Sequence, residues 1–213
     1  MLGRLKKDVN ISVFVPLCGK TLDMVYLATT LSAKVVGVEG VPKAIDEFII
    51  ENPSLQIIKP TLGERNEPPK FSRYLGTNIE LLTGDFFKLL PEDVSSIAST
   101  AAQGEPQLFD LVWDRGSMVA IEPKLRDTYV KVLSRLVRPG GIILLSAFDR
   151  RSGTEEAKKG GPPFSLNETQ IRELYEKELW VESVTFLGEK DDMEEEDWKK
   201  RWTEAGKYGI LRT

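Results

Sequence analysis

The sequence predicts an α/β fold, a mostly parallel sheet with helices on both faces, and three observations predict it. The apolar run Ile11 to Val15 breaks into a turn at Pro16-Leu17-Cys18-Gly19-Lys20, and a helical pattern begins near Thr21. A second apolar run, Lys34-Val35-Val36-Gly37-Val38, closes on Glu39. Strand, tight turn, helix and a strand with a terminal acid make the first half of a nucleotide-binding βαβ unit. The acid falls about 20 residues after the glycine turn, where a ribose diol is gripped.

The elements follow in order. Ile11 to Val15 is apolar on both faces, as a central parallel strand should be. Thr21 to Leu31 reads as a helix with Leu22, Val25 and Tyr26 on one stripe. Lys34 to Glu39 is the second strand. Pro42, tolerated in a first turn, opens a helix through Ile50, and Asn52-Pro53 ends it. Prolines 53, 60, 68 and 69 make the stretch from 51 to 77 a surface excursion, with a short strand at Leu55 to Ile58. Asn78 to Leu82 is the third strand, and Thr83-Gly84-Asp85-Phe86 follows it.

Ser95 to Gln107 is small, polar and expected to be a loop. Leu108 to Trp113 is the fourth strand, with Asp114-Arg115-Gly116 as its carboxyl-end turn. Pro123 to Arg138 is expected to be a helix with Leu125, Tyr129, Val132, Leu133 and Leu136 inward. Pro139-Gly140-Gly141 should stop it before a fifth strand, Ile142 to Ala147. After the polar run to Lys159, Ser165 to Lys177 is a helix with Ile171, Leu174 and Tyr175 inward. Leu179 to Leu187 and Tyr208 to Arg212 are the last strands. The acidic run Asp191 to Asp197 before Trp198-Lys199-Lys200-Arg201-Trp202 suits a solvated helix, with Trp198 and Trp202 on one face.

Composition narrows the chemistry. The chain has 213 residues, 41% hydrophobic and 29% charged, which fits one domain over residues 1–213. Its net charge of -4 argues against a nucleic-acid partner. Cys18 is the only cysteine, and there is no histidine. A Ser-His-Asp triad, a Cys-His pair and His-ligated metals are excluded, so no metal is expected. Arg4, Lys6 and Lys7 before the apolar run imitate a signal peptide, but the run is short, contains Pro16 and is followed by Lys20 and Asp23. With no apolar run of about 18 residues, a cytoplasmic protein without membrane contact is expected.

The first turn chooses the ligand class. A dinucleotide site wants G-x-G-x-x-G, and this turn has one glycine. A P-loop wants G-x-x-x-x-G-K-[ST], and its first glycine would fall on Phe14. A nucleoside ligand without a phosphate cradle remains, of which S-adenosylmethionine (SAM) is the common one. Gly19, Glu39, Asp85 and Asp114-Arg115 all fall at expected strand carboxyl ends, where open parallel sheets collect ligands. Cys18, packed in a strand-helix turn, is expected to be an inert filler and no nucleophile.

Pro16-Leu17-Cys18-Gly19-Lys20, Val36-Gly37-Val38-Glu39, Gly84-Asp85-Phe86-Phe87, Trp113-Asp114-Arg115-Gly116 and Gly161-Pro162-Pro163-Phe164 resemble the thiopurine S-methyltransferase family, in its order and at compatible spacings. The resemblance implies a Rossmann-like class I methyltransferase with a mostly parallel seven-stranded sheet and an antiparallel last strand. It implies SAM as cofactor, a thiol or related chalcogen compound as acceptor, and a monomer. It places Leu17, Cys18, Gly19, Glu39, Asp85, Phe86, Asp114 and Arg115 against the cofactor, with Asp85 facing the adenine amine and Phe86 lying on the ring. Asp85 as a helix cap and Phe86 as core are the structural alternatives. Arg115, always charged, is the candidate catalytic residue, holding an anionic nucleophile or the SAM carboxylate. An ion pair with Asp114 or Asp149 is its structural alternative. Family members carry a longer N-terminal segment that closes over both ligands. With ten residues before the first strand here, slow turnover or a SAM-binding protein without catalysis is the alternative expectation.

Overall fold

The computed structural model describes residues 11–59, 69–94, 108–150, 160–197, 199–200 and 210–212. The chain divides into two compact units, Met1–Trp113 with Arg135–Ile143, and Asp114–Ser134 with Leu144–Thr213.

The first unit is built outward from β1 (Ser12–Val15), whose four residues are all buried. Parallel to it lies β2 (Lys34–Glu39), joined through α1 (Asp23–Thr29). The helix α2 (Pro42–Glu51) then leads towards β3 (Ser72–Gly76) and β4 (Ile79–Thr83). β4 is parallel to β2, and β3 is antiparallel to β4. On the other side of β1 runs β5 (Phe109–Arg115), also parallel. With β6 (Val137–Ser146) the strand order is β3-β4-β2-β1-β5-β6. The order reverses at β1, which makes its carboxyl end the topological switch point. Phe14, Val36, Phe48, Leu81 and Leu82 are fully buried in this unit. The Phe14 ring lies 5.2 Å from Phe109 and 6.4 Å from Phe86, centroid to centroid.

In the second unit α3 (Ser117–Ala120) and α4 (Arg126–Ser134) follow β5. α5 (Glu168–Tyr175) begins with a capping box, Asn167 accepting from the Gln170 amide and Gln170 from the Asn167 amide. The strands β7 (Phe148–Arg150), β8 (Lys190–Asp191) and β9 (Ile210–Arg212) form a three-stranded antiparallel sheet. The doubly wound α/β class is as the sequence predicts.

Several expected elements differ. Among the described residues the main sheet has six strands against the seven expected, and its antiparallel member is the edge strand β3. The last strand is antiparallel as expected, but it pairs with β7 and β8. Leu55 closes a single 3-10 turn, and only Ile58 bridges to Leu75. The third strand starts at Ile79, after Asn78 takes a left-handed turn at φ 57°. Pro139-Gly140-Gly141 does not stop a helix; it lies inside β6, at the end of the sheet order, where a proline amide is not required. Gly140, at φ 72°, supplies the local kink. The preceding helix ends at Ser134, whose hydroxyl donates to the Lys131 carbonyl and competes for the last-turn acceptor.

No strand forms over 179–187. Arg172 of α5 takes the Val184 carbonyl at 2.9 Å, and Gly188 turns the chain at φ 147°. The acidic run forms β8 and a 3-10 turn before its short helical stretch. The expected loop over 95–107, the polar run 151–159, the segment 1–10 and the Trp198/Trp202 face lie outside the described residues. No described helix is long and apolar enough to cross a membrane.

Candidate functional site

After β1 the chain reverses through two left-handed residues, Leu17 at φ 41° and Gly19 at φ 52°. The turn is tied to the end of β2, because the Cys18 amide donates to the Val38 carbonyl at 2.9 Å. A Cβ added to Gly19 would meet nothing within 4 Å, so its glycine serves the backbone conformation and leaves open space in front of it. Cys18 faces inward, 5% exposed, and burial pushes its thiol pKa up. Gly37 makes room for it: a Cβ there would sit 2.9 Å from both Cys18 Sγ and Met24 Sδ. The packing of Cys18 is that of a small apolar filler in the strand-helix turn.

Glu39 is the best-defined polar group of the turn. Its Oε2 accepts from the Gly19 amide at 2.8 Å, and its Oε1 from the Val41 amide at 2.8 Å. One amide on each oxygen fixes the carboxylate, half-buried at the end of β2. Each oxygen has a second acceptor site. Two acceptors held at a fixed carboxylate match a vicinal diol.

The end of β4 reaches the same place, since the Gly84 amide donates to the Glu39 carbonyl at 3.0 Å. Asp85 is exposed, and its carboxylate accepts from the Phe87 amide at 3.0 Å, capping a single 3-10 turn. Phe86 is only 2% exposed and stacks on Phe14, so in this structure its ring is core. The neighbouring Phe87, edge-on to Phe86, keeps partial exposure. The sequence marks two adjacent phenylalanines but not which one turns outward. The Trp113 indole donates to Asp23 at 2.9 Å and ties the start of α1 to β5, a contact between distant residues that no sequence pattern announces.

In the second unit, Asp114 and Arg115 are the last residues of β5 rather than a turn. Asp114 is fully buried. Its Oδ1 accepts from the amides of Ser117 at 3.0 Å and Met118 at 3.2 Å, and its Oδ2 from the Tyr129 hydroxyl at 2.7 Å. Burial pushes its pKa up, against the opposing pull of these donors. Arg115 is exposed. Tyr129, read from sequence as a core position, is the polar partner that reading missed.

The G-P-P-F segment is knitted to the same unit. Arg150, 3% exposed, donates to the carbonyls of Gly160, at 2.5 Å, and Pro163. Its own amide donates to the Ser165 hydroxyl at 3.0 Å, and the Phe164 amide to the Val119 carbonyl at 2.6 Å. The Phe164 ring packs where a side chain on Gly161 would sit. Among the described residues no cluster of three or more acids or cysteines has the arrangement to hold a metal ion.

Comparison with known proteins gives this arrangement a family. Residues 1–207 match the family model described as Thiopurine S-methyltransferase (TPMT). The thiopurine S-methyltransferase of Nitrosospira multiformis is 34% identical over 165 residues, 78% of this chain and 64% of that protein. That of Pseudomonas paraeruginosa is 30% identical over 198 residues, 93% of this chain and 78% of its own length. The chain thus spans less than two thirds of the Nitrosospira relative, and 62% of one from Shewanella woodyi. Among solved structures, a SAM-dependent methyltransferase from Methanosarcina mazei superposes with a TM-score of 0.61 at 14% identity, covering 99% of this chain and 92% of that one. The [4+2]-cyclase SpnF superposes at 0.56 and 14% identity, over 86% of this chain and 54% of its own. These two likenesses establish the fold, and the cyclase illustrates that fold alone does not fix the reaction.

Proposed function

The chain belongs to the thiopurine S-methyltransferase family, and on that premise we propose that it transfers a methyl group from SAM to the sulfur of a small thiol, or to a related chalcogen acceptor. SAM is the cofactor that goes with the family, and the donor set of the first unit fits it. The observation that carries the reading is Glu39, held by the Gly19 and Val41 amides with one acceptor site left on each oxygen. That arrangement suits the ribose hydroxyls of a nucleoside. The open turn at Gly19 suits a ligand with no phosphate to cradle. Asp85 is the acceptor for an adenine amine, and Phe87 is the ring with surface to offer it.

When bound, SAM supplies a methyl carbon made electrophilic by the attached sulfonium. The protein's part is to hold and orient. A thiolate near neutral pH needs no strong base, so catalysis rests on alignment and on a positive group for the anionic sulfur. Arg115, exposed and always charged, is our candidate for that group. We further propose a monomeric cytoplasmic enzyme working without a metal, with neither nucleic acid nor membrane as partner.

The test is calorimetry with SAM and S-adenosylhomocysteine, followed by turnover on a panel of thiol, selenol and telluride acceptors. Binding of both nucleosides with methylation of a thiol supports the reading. Binding without turnover on any acceptor would reduce the protein to a SAM-binding module. In the active case Arg115→Ala should raise the barrier by about 2–4 kcal/mol, by analogy with oxyanion donors, and leave SAM affinity nearly unchanged. Arg115→Lys should recover part of that loss.

A further inference from the structure

We infer that Asp114 and Tyr129 form a positioning pair for methyl transfer, a buried anchor that sets the backbone from which Arg115 projects. The inference rests on the reading of Arg115 given above. Successive strand residues point to opposite faces, and the last two of β5 do so, Asp114 fully buried and Arg115 exposed. Whatever fixes the inward residue therefore aims the outward one. The donors that fix Asp114 include the Ser117 and Met118 amides and the Tyr129 hydroxyl. On the far side of Arg115, the Gly116 amide donates to the Ser146 carbonyl at 3.3 Å, and Gly116 turns the chain at φ 92°. Arg115 is thus braced on both sides by its neighbours.

Capping uses only one oxygen of Asp114, Oδ1, while Oδ2 accepts from the Tyr129 hydroxyl. The helix that Asp114 serves, α3, has four residues. A neutral asparagine or serine can cap such a turn, while burying an acid carries a desolvation penalty that a cap alone does not require. The second ring of the cluster points the same way. Tyr175 of α5 is 5% exposed, its buried hydroxyl has no hydrogen-bond partner among the described residues, and it interacts electrostatically with Asp114 and Tyr129, so a second polar group is held beside the pair. A polar interior placed directly behind the one exposed cation of the W-D-R-G motif is what a rigid mount for that cation requires.

The test is a double-mutant cycle. Tyr129→Phe removes one hydroxyl and keeps the ring, and Asp114→Asn keeps the shape and removes the charge. Each is made in the parent and in Arg115→Ala, and turnover, acceptor KM and SAM affinity are measured. We expect Tyr129→Phe to lower kcat about tenfold, the scale of a small misplacement of a reacting group, with SAM affinity within about twofold. In Arg115→Ala the same substitution should cost nothing further, because the pair acts through Arg115. Equal losses in both backgrounds would mean a merely structural role and overturn the inference, as would an unchanged kcat in Tyr129→Phe. Full activity in Arg115→Ala would overturn the reading of Arg115 and the inference with it. If the parent transfers no methyl group, the proposed function fails instead, and amide hydrogen exchange decides the anchor. Faster exchange at Ser117 and Met118 in Tyr129→Phe supports it, and unchanged exchange overturns it.

Discussion

Replacing Glu39 by alanine tests the cofactor site at its best-defined group. In the parent each carboxylate oxygen accepts one backbone amide, from Gly19 or Val41, and keeps one site for a ligand hydroxyl. Two ribose hydrogen bonds to a charged acceptor are worth about 1.5–3 kcal/mol each. At the lower figure the pair contributes about 3 kcal/mol, which corresponds to roughly a hundredfold in dissociation constant. The fold should survive. Val41 is exposed and Gly19 half-buried, so water can take up both released amides, at a cost of about 0.5–1.5 kcal/mol per lost bond. Glu39→Gln keeps one acceptor oxygen and turns an amide donor toward a backbone donor, so its loss should be intermediate, about tenfold. Calorimetry with S-adenosylhomocysteine gives the affinity, and circular dichroism confirms that the variant is folded. A folded Glu39→Ala protein that binds within twofold of the parent would refute the assignment of the ribose to Glu39.

Gly37→Ala would place a methyl group 2.9 Å from Cys18 Sγ and Met24 Sδ and 3.0 Å from Leu81 Cδ2. Overpacking of that kind costs about 1–3 kcal/mol, to be read as a lower urea midpoint, and an unchanged midpoint would mean that this part of the core is loose. Asp110 tests the electrostatics of the first unit. Burial pushes its pKa up, but the Ser12 amide and hydroxyl and the Arg138 guanidinium outweigh it and leave the group below the usual carboxylate value. A lowered acid contributes stability that is present above the unfolded value of about 4 and lost as pH falls through the folded value. The parent should therefore lose its advantage over Asp110→Asn as pH falls below about 4, and a difference in urea midpoint that is the same at pH 3 and pH 7 would contradict this. Treatment with a chelator should leave turnover unchanged, and loss of activity restored by an added divalent ion would overturn the metal-free mechanism.

The parts legible in the sequence are those in which one local pattern has one physical outcome. The apolar runs over residues 13–15 and 35–38 read directly as buried strands, and the structure places Glu39 at the end of the second. Pro42 at a helix start fixes a further boundary, whereas the helix expected from Ser165 to Lys177 runs only over Glu168–Tyr175, because Asn167 and Gln170 cap it. What was illegible depended on distant partners. Ser72 to Gly76 is a strand because β4 lies beside it, although its own residues are largely half-exposed. Leu179 to Leu187 has the Val, Thr and Phe content of a strand, but its Val184 carbonyl is taken by a side chain from α5. Pro139-Gly140-Gly141 reads as a helix stop, yet a left-handed glycine at the end of the sheet order serves equally as a kink within a strand. At the site, the sequence identifies Asp114 and Phe86 by type, but not that both turn inward, where Tyr129 and Phe14 meet them.

The most direct test of the account is to supply SAM labelled in its methyl carbon together with a thiopurine, and to follow both products by mass spectrometry. The account predicts S-adenosylhomocysteine and S-methylated thiopurine in equal amounts, with the label on the acceptor sulfur and a rate well above that without protein. SAM that binds but yields neither product, or label found on an acceptor nitrogen, would contradict it.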